Sequence, residues 1–332
     1  MWHVVISSLG PVMLLIAIGA ALGRWQWVSP GGAQELSRLA FSVFGPALLF
    51  RTMSQVDPAS LVLQPLAVYL GTAVLMYWGF WLCWGRSLSA AMWAMATMFS
   101  NTVALGIPLV GYVYGQPGLV VLFTLISVHS LVLVTMITVL LEWQRARQAQ
   151  YVPHAPGQGG LRAVVVQALR QSVLHPVPLP ILAGLLWGQT GWVMPEVLDK
   201  PIQWLGATFG PLALLMVGIT LSNVLDRVIR AEGPADPQFS RQRILWSALG
   251  MACLKNLVHP SLVVGMSLLL GLRGLPVAVM MVASSLPIGA NVFLFSQRYK
   301  VAEDEVTSAV AVSTLSALLT VPLVMAGVVW VM

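Results

Sequence analysis

Apolar runs of about 20 residues recur along this sequence, and that is the length a helix needs to cross a bilayer. Hydrophobic residues make up 58% of the 332, and charged residues only 8%. That charged share is roughly a third of what soluble proteins carry. The sequence therefore predicts an all-α integral membrane protein. Its ten predicted spans are residues 3–23, 34–53, 61–84, 89–114, 118–142, 174–192, 201–223, 244–270, 276–298 and 304–331.

The longest polar stretch, residues 143–172, divides these spans into two sets of five. We expect a first five-helix repeat at 1–142, a cytoplasmic linker at 143–172 and a second repeat at 173–332. The first apolar run has no basic segment before it and is long enough to span, so we interpret it as a retained helix and not as a cleaved signal.

The distribution of cations predicts the orientation. If the linker is cytoplasmic, thirteen Lys and Arg residues of the loops and span ends face the cytoplasm and three face outward, which is a strong positive-inside bias. The three outward cations are Arg51, Lys200 and Arg273, and Lys255 lies within a span. Both termini are then on the outer side. We expect a multi-pass protein of the bacterial inner membrane, with its termini in the periplasm.

A short internal repeat links the two halves. The hexapeptide that begins Phe44-Gly45-Pro46 in span two resembles the segment that begins Phe209-Gly210-Pro211 in span seven, at an offset of 165 residues. Because each half has an odd number of spans, the halves must be inserted upside-down relative to each other. The sequence therefore predicts an inverted repeat of the kind found in transporters.

The fourth and ninth spans each contain a helix-breaking segment near the middle. Proline lacks an N–H and its ring clashes with the carbonyl four residues earlier, so we expect a break or kink at Pro108 and at Pro287. Gly106 and Gly289 weaken the same turns. Broken helices in corresponding places of two repeats are typical of a transporter binding site. We assign the helix breaks to Gly106, Pro108, Pro287 and Gly289.

A broken helix exposes N–H groups and a positive dipole end, which together favour an anion. The candidate substrate-binding residues are polar side chains near the breaks, the one cation placed deep in a span and a histidine in the middle of span five. They are Ser100, Asn101, Thr102, Ser285, Asn291, Lys255 and His129.

Structural alternatives stay open for these residues. Each asparagine can cap freed backbone groups instead of binding a ligand. Lys255 is either a counter-charge for the anion, or it binds exposed carbonyls or extends toward the cytoplasm. His129 either couples protons or is hydrogen-bonded to a neighbouring helix.

Several function classes lack their residues in this sequence. No Asp or Glu lies well inside a predicted span, so a carboxylate proton relay and a carboxylate cation cage are not available. The acidic clusters of magnesium-dependent membrane enzymes are missing, as are the common hydrolase motifs. Cys83 and Cys253 fall inside apolar spans and have no metal-ligand spacing. We expect no enzyme activity, no cofactor, no metal and no nucleic-acid partner.

The two broken segments resemble the crossover motifs of the auxin efflux carrier family. These are the segment from Ser100 to Leu109 and the segment from Leu286 to Asn291. The Phe-Gly-Pro turns and the Lys255 to Pro260 segment add to a resemblance that covers essentially the whole chain. It implies ten helices in two inverted five-helix repeats, with broken helices four and nine crossing in mid-membrane. It also implies transport of small organic anions, such as malate and malonate in bacterial members.

We therefore expect a carrier for a small organic anion, most simply a carboxylate, that works by elevator-type alternating access. A sodium-coupled symporter of the bile-acid type is the alternative, and a non-transporting sensor or channel is a third reading. The expected partners are the anion and the lipid bilayer, and a homodimer is compatible with this architecture.

Overall fold

The computed structural model describes residues 2–57, 63–149, 177–229 and 241–328. Within these ranges the chain is helical, and the β-type pairing is an isolated bridge between Ser100 and Ile288. The predicted all-α class is therefore confirmed. Residues 150–172 of the predicted linker lie outside the described ranges. Five helices in the described part are long and apolar enough to cross a membrane, namely Gln64–Cys83, Thr102–Gln144, Glu196–Asn223, Gln242–Leu269 and Glu303–Val328.

We number the α-helices along the described chain. They are α1 Trp2–Arg24, α2 Pro30–Leu39, α3 Gly45–Met53, α4 Gln64–Cys83, α5 Leu88–Met98, α6 Ile107–His129, α7 Thr135–Ala149, α8 Pro178–Gln189, α9 Glu196–Ile229, α10 Arg241–Cys253, α11 His259–Leu269, α12 Leu275–Ser285, α13 Ala290–Tyr299 and α14 Glu303–Val328. Four π-helical turns join some of them end to end, at Ala40–Phe44, Thr102–Gly106, Ser130–Val134 and Leu254–Val258.

Local sequence explains where several helices begin. The Ser29 hydroxyl accepts a hydrogen bond from the Gly32 N–H at 3.0 Å, and Pro30 follows it in the first turn of α2. Ser87 caps α5 in the same way. These side chains satisfy N–H groups that have no partner inside the helix. The first turn of α14 holds Glu303, Asp304 and Glu305, where negative charge suits the helix dipole.

Three of the four π-turns end two residues before a proline, which is Pro46, Pro108 or Pro260. In each, the N–H just before the proline donates to the carbonyl five residues back, not four. The wider turn accommodates a residue that has no N–H and whose ring crowds an ordinary α-turn. Proline is thus accepted inside these helices without ending them.

This arrangement corrects the prediction that the fourth span breaks at Pro108. Gly106 closes the π-turn and Pro108 lies in the first turn of α6, so the helix passes through both residues. The interruption lies earlier in the chain, at residues 99–101. The π-turn explains the error, because it allows the backbone to stay helical around a proline.

Helices α1 and α9 pack through glycines. Gly19 lies against the backbone of Leu215, and Gly218 lies against the backbone of Ile16. A Cβ atom at either glycine would overlap the facing carbonyl. Small residues at such positions let two helix backbones approach closely in a membrane protein.

Helices α3 and α8 form a second pair of the same kind. Gly184 lies against the Phe50 carbonyl, and a Cβ at Gly188 would be 2.7 Å from the Ser54 carbonyl oxygen. The two pairs are connected at one end, where Arg51 of α3 donates two hydrogen bonds to Asp199 of α9, at 2.7 and 2.9 Å. We call α1, α3, α8 and α9 the glycine-packed group.

The buried apolar side chains form two large clusters. One involves α1, α3, α6, α9 and α12, and the other involves α4, α5, α7, α10 and α13. The residues around the two interruptions are divided between them, since Phe99 and Ile288 belong to the second cluster and Leu105 and Leu286 to the first. The interruptions therefore lie where the two cores meet.

Candidate functional site

The first interruption separates α5 from the π-turn that leads into α6. Helix α5 ends at Met98, Phe99 is extended with φ −86° and ψ 110°, and helical structure resumes at Thr102. The Asn101 carboxamide oxygen accepts a hydrogen bond from the Ala104 N–H at 3.3 Å, and its backbone carbonyl accepts from Leu105 and Gly106. Asn101 thus caps the new helix, which is one of the two roles left open by the sequence.

The second interruption separates α12 from α13. Leu286 and Gly289 are both extended, with ψ values of 150° and 145°, and α13 begins at the next residue, Ala290. Pro287 lies inside this interruption, unlike Pro108 in the first half. Its missing N–H therefore needs no helical acceptor.

The two interruptions run antiparallel to each other and are joined through their backbones. The Asn101 N–H donates to the Pro287 carbonyl and the Gly289 N–H donates to the Phe99 carbonyl, both at 2.9 Å. With Ser100 paired to Ile288, these bonds form a two-stranded contact inside a helical protein. We call this contact, residues 99–101 and 286–289, the crossing. It satisfies backbone groups that a membrane would otherwise leave without partners.

Glycines permit this approach. A Cβ at Gly289 would lie 3.0 Å from the Ser100 carbonyl oxygen and 3.1 Å from the Phe99 ring. A Cβ at Gly106 would lie 3.0 Å from a methyl group of Leu286. Both residues were assigned to the helix breaks from sequence. Here they act as places of close contact between the two halves.

Side chains from two other elements bind the crossing. The Tyr69 hydroxyl of α4 is 2.9 Å from the Ser100 hydroxyl. The Lys255 ammonium donates to the Leu286 carbonyl at 2.8 Å and also to the Ser284 carbonyl. These bonds reach both interruptions from helices that are not themselves interrupted there.

The second interruption has one more support, from α14. The Ser313 hydroxyl accepts a hydrogen bond from the Ile288 N–H at 3.1 Å. Asn256, next to Lys255 in the same π-turn, donates to the Ser313 carbonyl and to the Ser316 hydroxyl, both at 2.8 Å. The π-turn at Leu254–Val258 therefore presents two polar side chains toward the second half of the crossing.

Lys255 is fully buried and does not extend to the cytoplasmic surface. Its ammonium binds carbonyls at the broken end of α12, which is the structural reading of the sequence. A protonated amine at this position places a cation at the crossing, so the counter-charge reading is compatible with the same geometry.

His129 ends α6 and is 2% exposed. Its ring is 4.4 Å from the Phe99 ring, edge to face, and 5.8 Å from the Tyr69 ring. His259 was not selected from the sequence, and its ring centre is 5.2 Å from that of Tyr69. His129 therefore lies next to the first interruption, and its role in substrate binding stays a prediction.

The remaining predicted residues are less involved in the crossing. Thr102 is buried, and its N–H donates to the Ser100 carbonyl at 2.9 Å. The Ser285 hydroxyl donates to the Val282 carbonyl within its own helix. Asn291 is half-buried in the first turn of α13. Among the described residues, no group of three or more His, Cys, Asp or Glu is placed to hold a metal ion.

A narrow apolar cleft separates the crossing from the glycine-packed group. Its volume is about 40 Å³, and Leu286 and Pro287 line it opposite Val12, Ile16 and Val217. A larger cavity of about 330 Å³ lies elsewhere, beside Gln55 and Pro276. The crossing therefore has a polar side toward Tyr69 and Lys255 and an apolar side toward α1 and α9.

Comparison with known proteins bears on this arrangement. A protein family described as "Membrane transport protein" matches residues 4–325. The chain belongs to this membrane transport protein family. The match confirms the resemblance to the auxin efflux carriers, because one similar protein is auxin efflux carrier component 8 of Arabidopsis thaliana. It is 21% identical over 96% of this chain and 95% of the relative.

A second relative is an uncharacterized transporter of Methanothermobacter thermautotrophicus, which is 23% identical and covered over 94% of both chains. This chain is therefore a multi-pass member of a membrane transport family along nearly its whole length. That family is one of membrane transporters, which are generally not enzymes.

Sequence reasoning missed four residues that contact or surround the crossing, namely Tyr69, Asn256, His259 and Ser313. A signal existed for Asn256 and His259, because they follow Lys255 within four residues of a predicted span. Nothing in the sequence marked Tyr69 or Ser313 apart from other hydroxyl-bearing residues in apolar helices. Their role depends on which helices become neighbours.

Proposed function

We propose that this protein is a secondary transporter for a small organic anion, most simply a carboxylate, with the crossing as its binding site. The observation that carries the proposal is the crossing itself. Two helical segments begin at one place in the apolar interior, one at Thr102 and one at Ala290. Helix N-termini favour negative charge through their N–H groups and dipoles.

The charges around the crossing support an anion and not a cation. The Lys255 ammonium is buried and bonded to carbonyls of the second interruption. Asn101 and Asn291 add carboxamide groups at the two helix starts, and a carboxamide N–H₂ can donate to a carboxylate. We propose that these three residues, with Ser100, Thr102, Ser285 and His129 around them, form the environment of the substrate.

Sodium-coupled symport of the bile-acid type is the alternative function. Carbonyl and hydroxyl oxygens are ligands for hard cations, and the crossing has both. However, the Lys255 ammonium already binds the Ser284 and Leu286 carbonyls, and its charge repels a second cation there. We therefore favour an anion carrier that holds no sodium at this place. A sensor or channel has no need of two interruptions that meet.

We further propose that the chain forms ten spans in two inverted repeats. The glycine contacts support this reading. Gly19 and Gly23 of α1 recur as Gly184 and Gly188 of α8, at the 165-residue offset of the Phe-Gly-Pro repeat. Helix α1 uses its glycines against α9, and α8 uses its glycines against α3. If α8 is the repeat counterpart of α1, and α9 that of α3, the α1–α9 contact and the α8–α3 contact are equivalent under the repeat.

The proposed movement is an elevator-type displacement of the crossing relative to the glycine-packed group. The cleft between them is apolar, so a displacement breaks few hydrogen bonds along that surface. Close glycine packing and the Arg51–Asp199 pair favour a group that stays together as a unit.

The positive-inside bias supports a bacterial inner-membrane location with both termini in the periplasm.

Counterflow tests the function. The full chain is reconstituted in liposomes loaded with unlabelled malonate, malate or auxin, and entry of the same labelled acid is followed. We expect exchange of at least one acid by the natural chain and none by Lys255→Met. Lys200→Met is the matched control, because Lys200 pairs with Glu196 on the surface. If none of the acids is exchanged and none raises the melting temperature, the proposed function is wrong.

A further inference from the structure

Four titratable side chains lie together beside the crossing, and none of them lines the apolar cleft. They are Tyr69 of α4, His129 of α6, Lys255 of the π-turn and His259 of α11, and all four are buried. We call them the back cluster. We propose that the two imidazoles of the back cluster form a proton-binding site, and that a proton enters it when an anion binds at the crossing. This inference rests on the proposed function and adds its coupling ion.

The geometry connects the imidazoles to the crossing directly. The Tyr69 ring lies 5.8 Å from His129 and 5.2 Å from His259, and its hydroxyl is 2.9 Å from the Ser100 hydroxyl. His129 also packs against Phe99, at 4.4 Å between ring centres. A change at either imidazole is therefore one side chain away from the first interruption.

The imidazole nitrogens are available for a proton. Both ring nitrogens of His129 and both of His259 are buried, and none has a hydrogen-bond partner among the described residues. A neutral imidazole keeps one nitrogen lone pair that can take a proton. Leaving such buried groups without partners lowers stability. A proton-accepting role explains why this chain keeps two unpaired imidazoles in its interior.

Burial opposes a positive charge on these imidazoles, and a neighbouring charge adds to that opposition. Lys255 is the charged group that acts on His129, and it also acts on His259. Of the other elements packed here, the end of α5 contributes the Phe99 ring and α12 contributes Ser284, which do not titrate near neutral pH. An ammonium in a low-dielectric interior repels a second positive charge. An anion at the crossing offsets that repulsion.

Anion and proton therefore favour each other's binding. The imidazole lone pair forms an N–H bond with a proton from a hydronium ion, whose O–H bond breaks and leaves water. Because the coupling between two binding events is reciprocal, anion affinity must rise as the pH falls. Uptake of one proton gives a change of up to about tenfold per pH unit. The carrier would then work as a proton–anion symporter.

Calorimetry measures this proton directly. Malonate, or malate if only that acid is exchanged, is titrated into the full chain at pH 7.5, in two buffers with different ionisation enthalpies. The difference in heat gives the number of protons taken up per anion. We expect the natural chain to take up about one proton per bound anion. For His129→Gln with His259→Gln, we expect weaker binding, no proton uptake and a flat pH dependence.

Tyr77→Phe is the matched control, since Tyr77 lies on the same helix as Tyr69, is buried and has an unpartnered hydroxyl in the described structure. It should keep the proton count of the natural chain. If the double variant does not fold, each single variant is measured, and each should lower the count. A second measurement is accumulation of labelled anion in liposomes driven by a pH gradient, which only the natural chain and the control should show.

The outcomes separate the two proposals. Binding and counterflow without proton uptake, or proton uptake that persists in the histidine variants, overturn the proton site and leave the transporter proposal in place. Absence of binding and of counterflow for every acid overturns both.

Discussion

Both interruptions contain extended backbone between two helices, but they are held by different means. The first is held largely from within, because Asn101 caps its own helix and the Tyr69 hydroxyl adds one outside bond. In the second, α13 has no side-chain cap. The backbone carbonyl and N–H groups of this second interruption are hydrogen-bonded to Lys255 and Ser313, which lie on other elements. The first half of the crossing is therefore held largely by its own residues, whereas the second depends on side chains from other helices.

Removing the ammonium of Lys255 should have the largest effect on stability and transport, because the second interruption depends on it. Lys255→Met leaves the Ser284 and Leu286 carbonyls buried without this donor, at about 1–3 kcal/mol for each group. We expect a clear loss of thermal stability and no detectable counterflow. Lys200→Met should change the free energy of unfolding by less than about 1 kcal/mol, as for other exposed ion pairs. If Lys255→Met melts and transports like the natural chain, the second interruption does not depend on this residue.

A side chain at Gly289 should separate the two halves of the crossing. In Gly289→Ala the new Cβ would lie 3.0 Å from the Ser100 carbonyl oxygen, which is backbone and cannot move aside easily. We expect a loss of about 1–3 kcal/mol in the free energy of unfolding, with weaker anion binding. Gly250→Ala is the control, because a Cβ there meets nothing within 4 Å. Its stability should rise by about 0.5–1 kcal/mol, since alanine suits a helix better. Equal melting temperatures for the two variants would contradict this close contact.

The two asparagines should behave differently. Asn101→Ala removes a helix cap and should lower stability by about 0.5–2 kcal/mol as well as weaken binding. Asn291 is not the cap of α13, so Asn291→Ala should weaken binding and leave the melting temperature within about one degree of the natural chain. Thermal melting with and without malonate separates the two effects. The same loss of stability in both variants would show that the halves are held alike.

Pro108→Ala should have the smallest effect. The π-turn already accommodates this proline, and the residue lies outside the interruption. We expect a stability change below about 1 kcal/mol and binding within about fivefold of the natural chain. Pro287→Ala, inside the second interruption, is the informative partner and should reduce transport more. A complete loss of transport in Pro108→Ala would mean that the π-turn itself is part of the site.

Much of this arrangement is readable in the sequence, and the exceptions have physical reasons. Apolar runs predict the helical membrane class, because the bilayer imposes a length and a composition. The polar residues near Pro287 mark the second interruption well. The first was misplaced because a proline does not reveal whether a wider turn will accommodate it. Lys255 was identified as buried, but its carbonyl partners are 29 and 31 residues away along the chain. Such pairings depend on tertiary packing and on no local pattern.

The glycine contact between α1 and α9 has a consequence for biosynthesis. Gly19 can meet its partner backbone only after Leu215 has been made, about 200 residues later. At roughly 5–20 residues per second, the first helix waits roughly 10–40 s in the bilayer before that partner leaves the ribosome. During this time its glycine face is open to lipid and to other newly inserted helices. The N-terminal helix is therefore the segment for which a membrane chaperone would have the longest time to act.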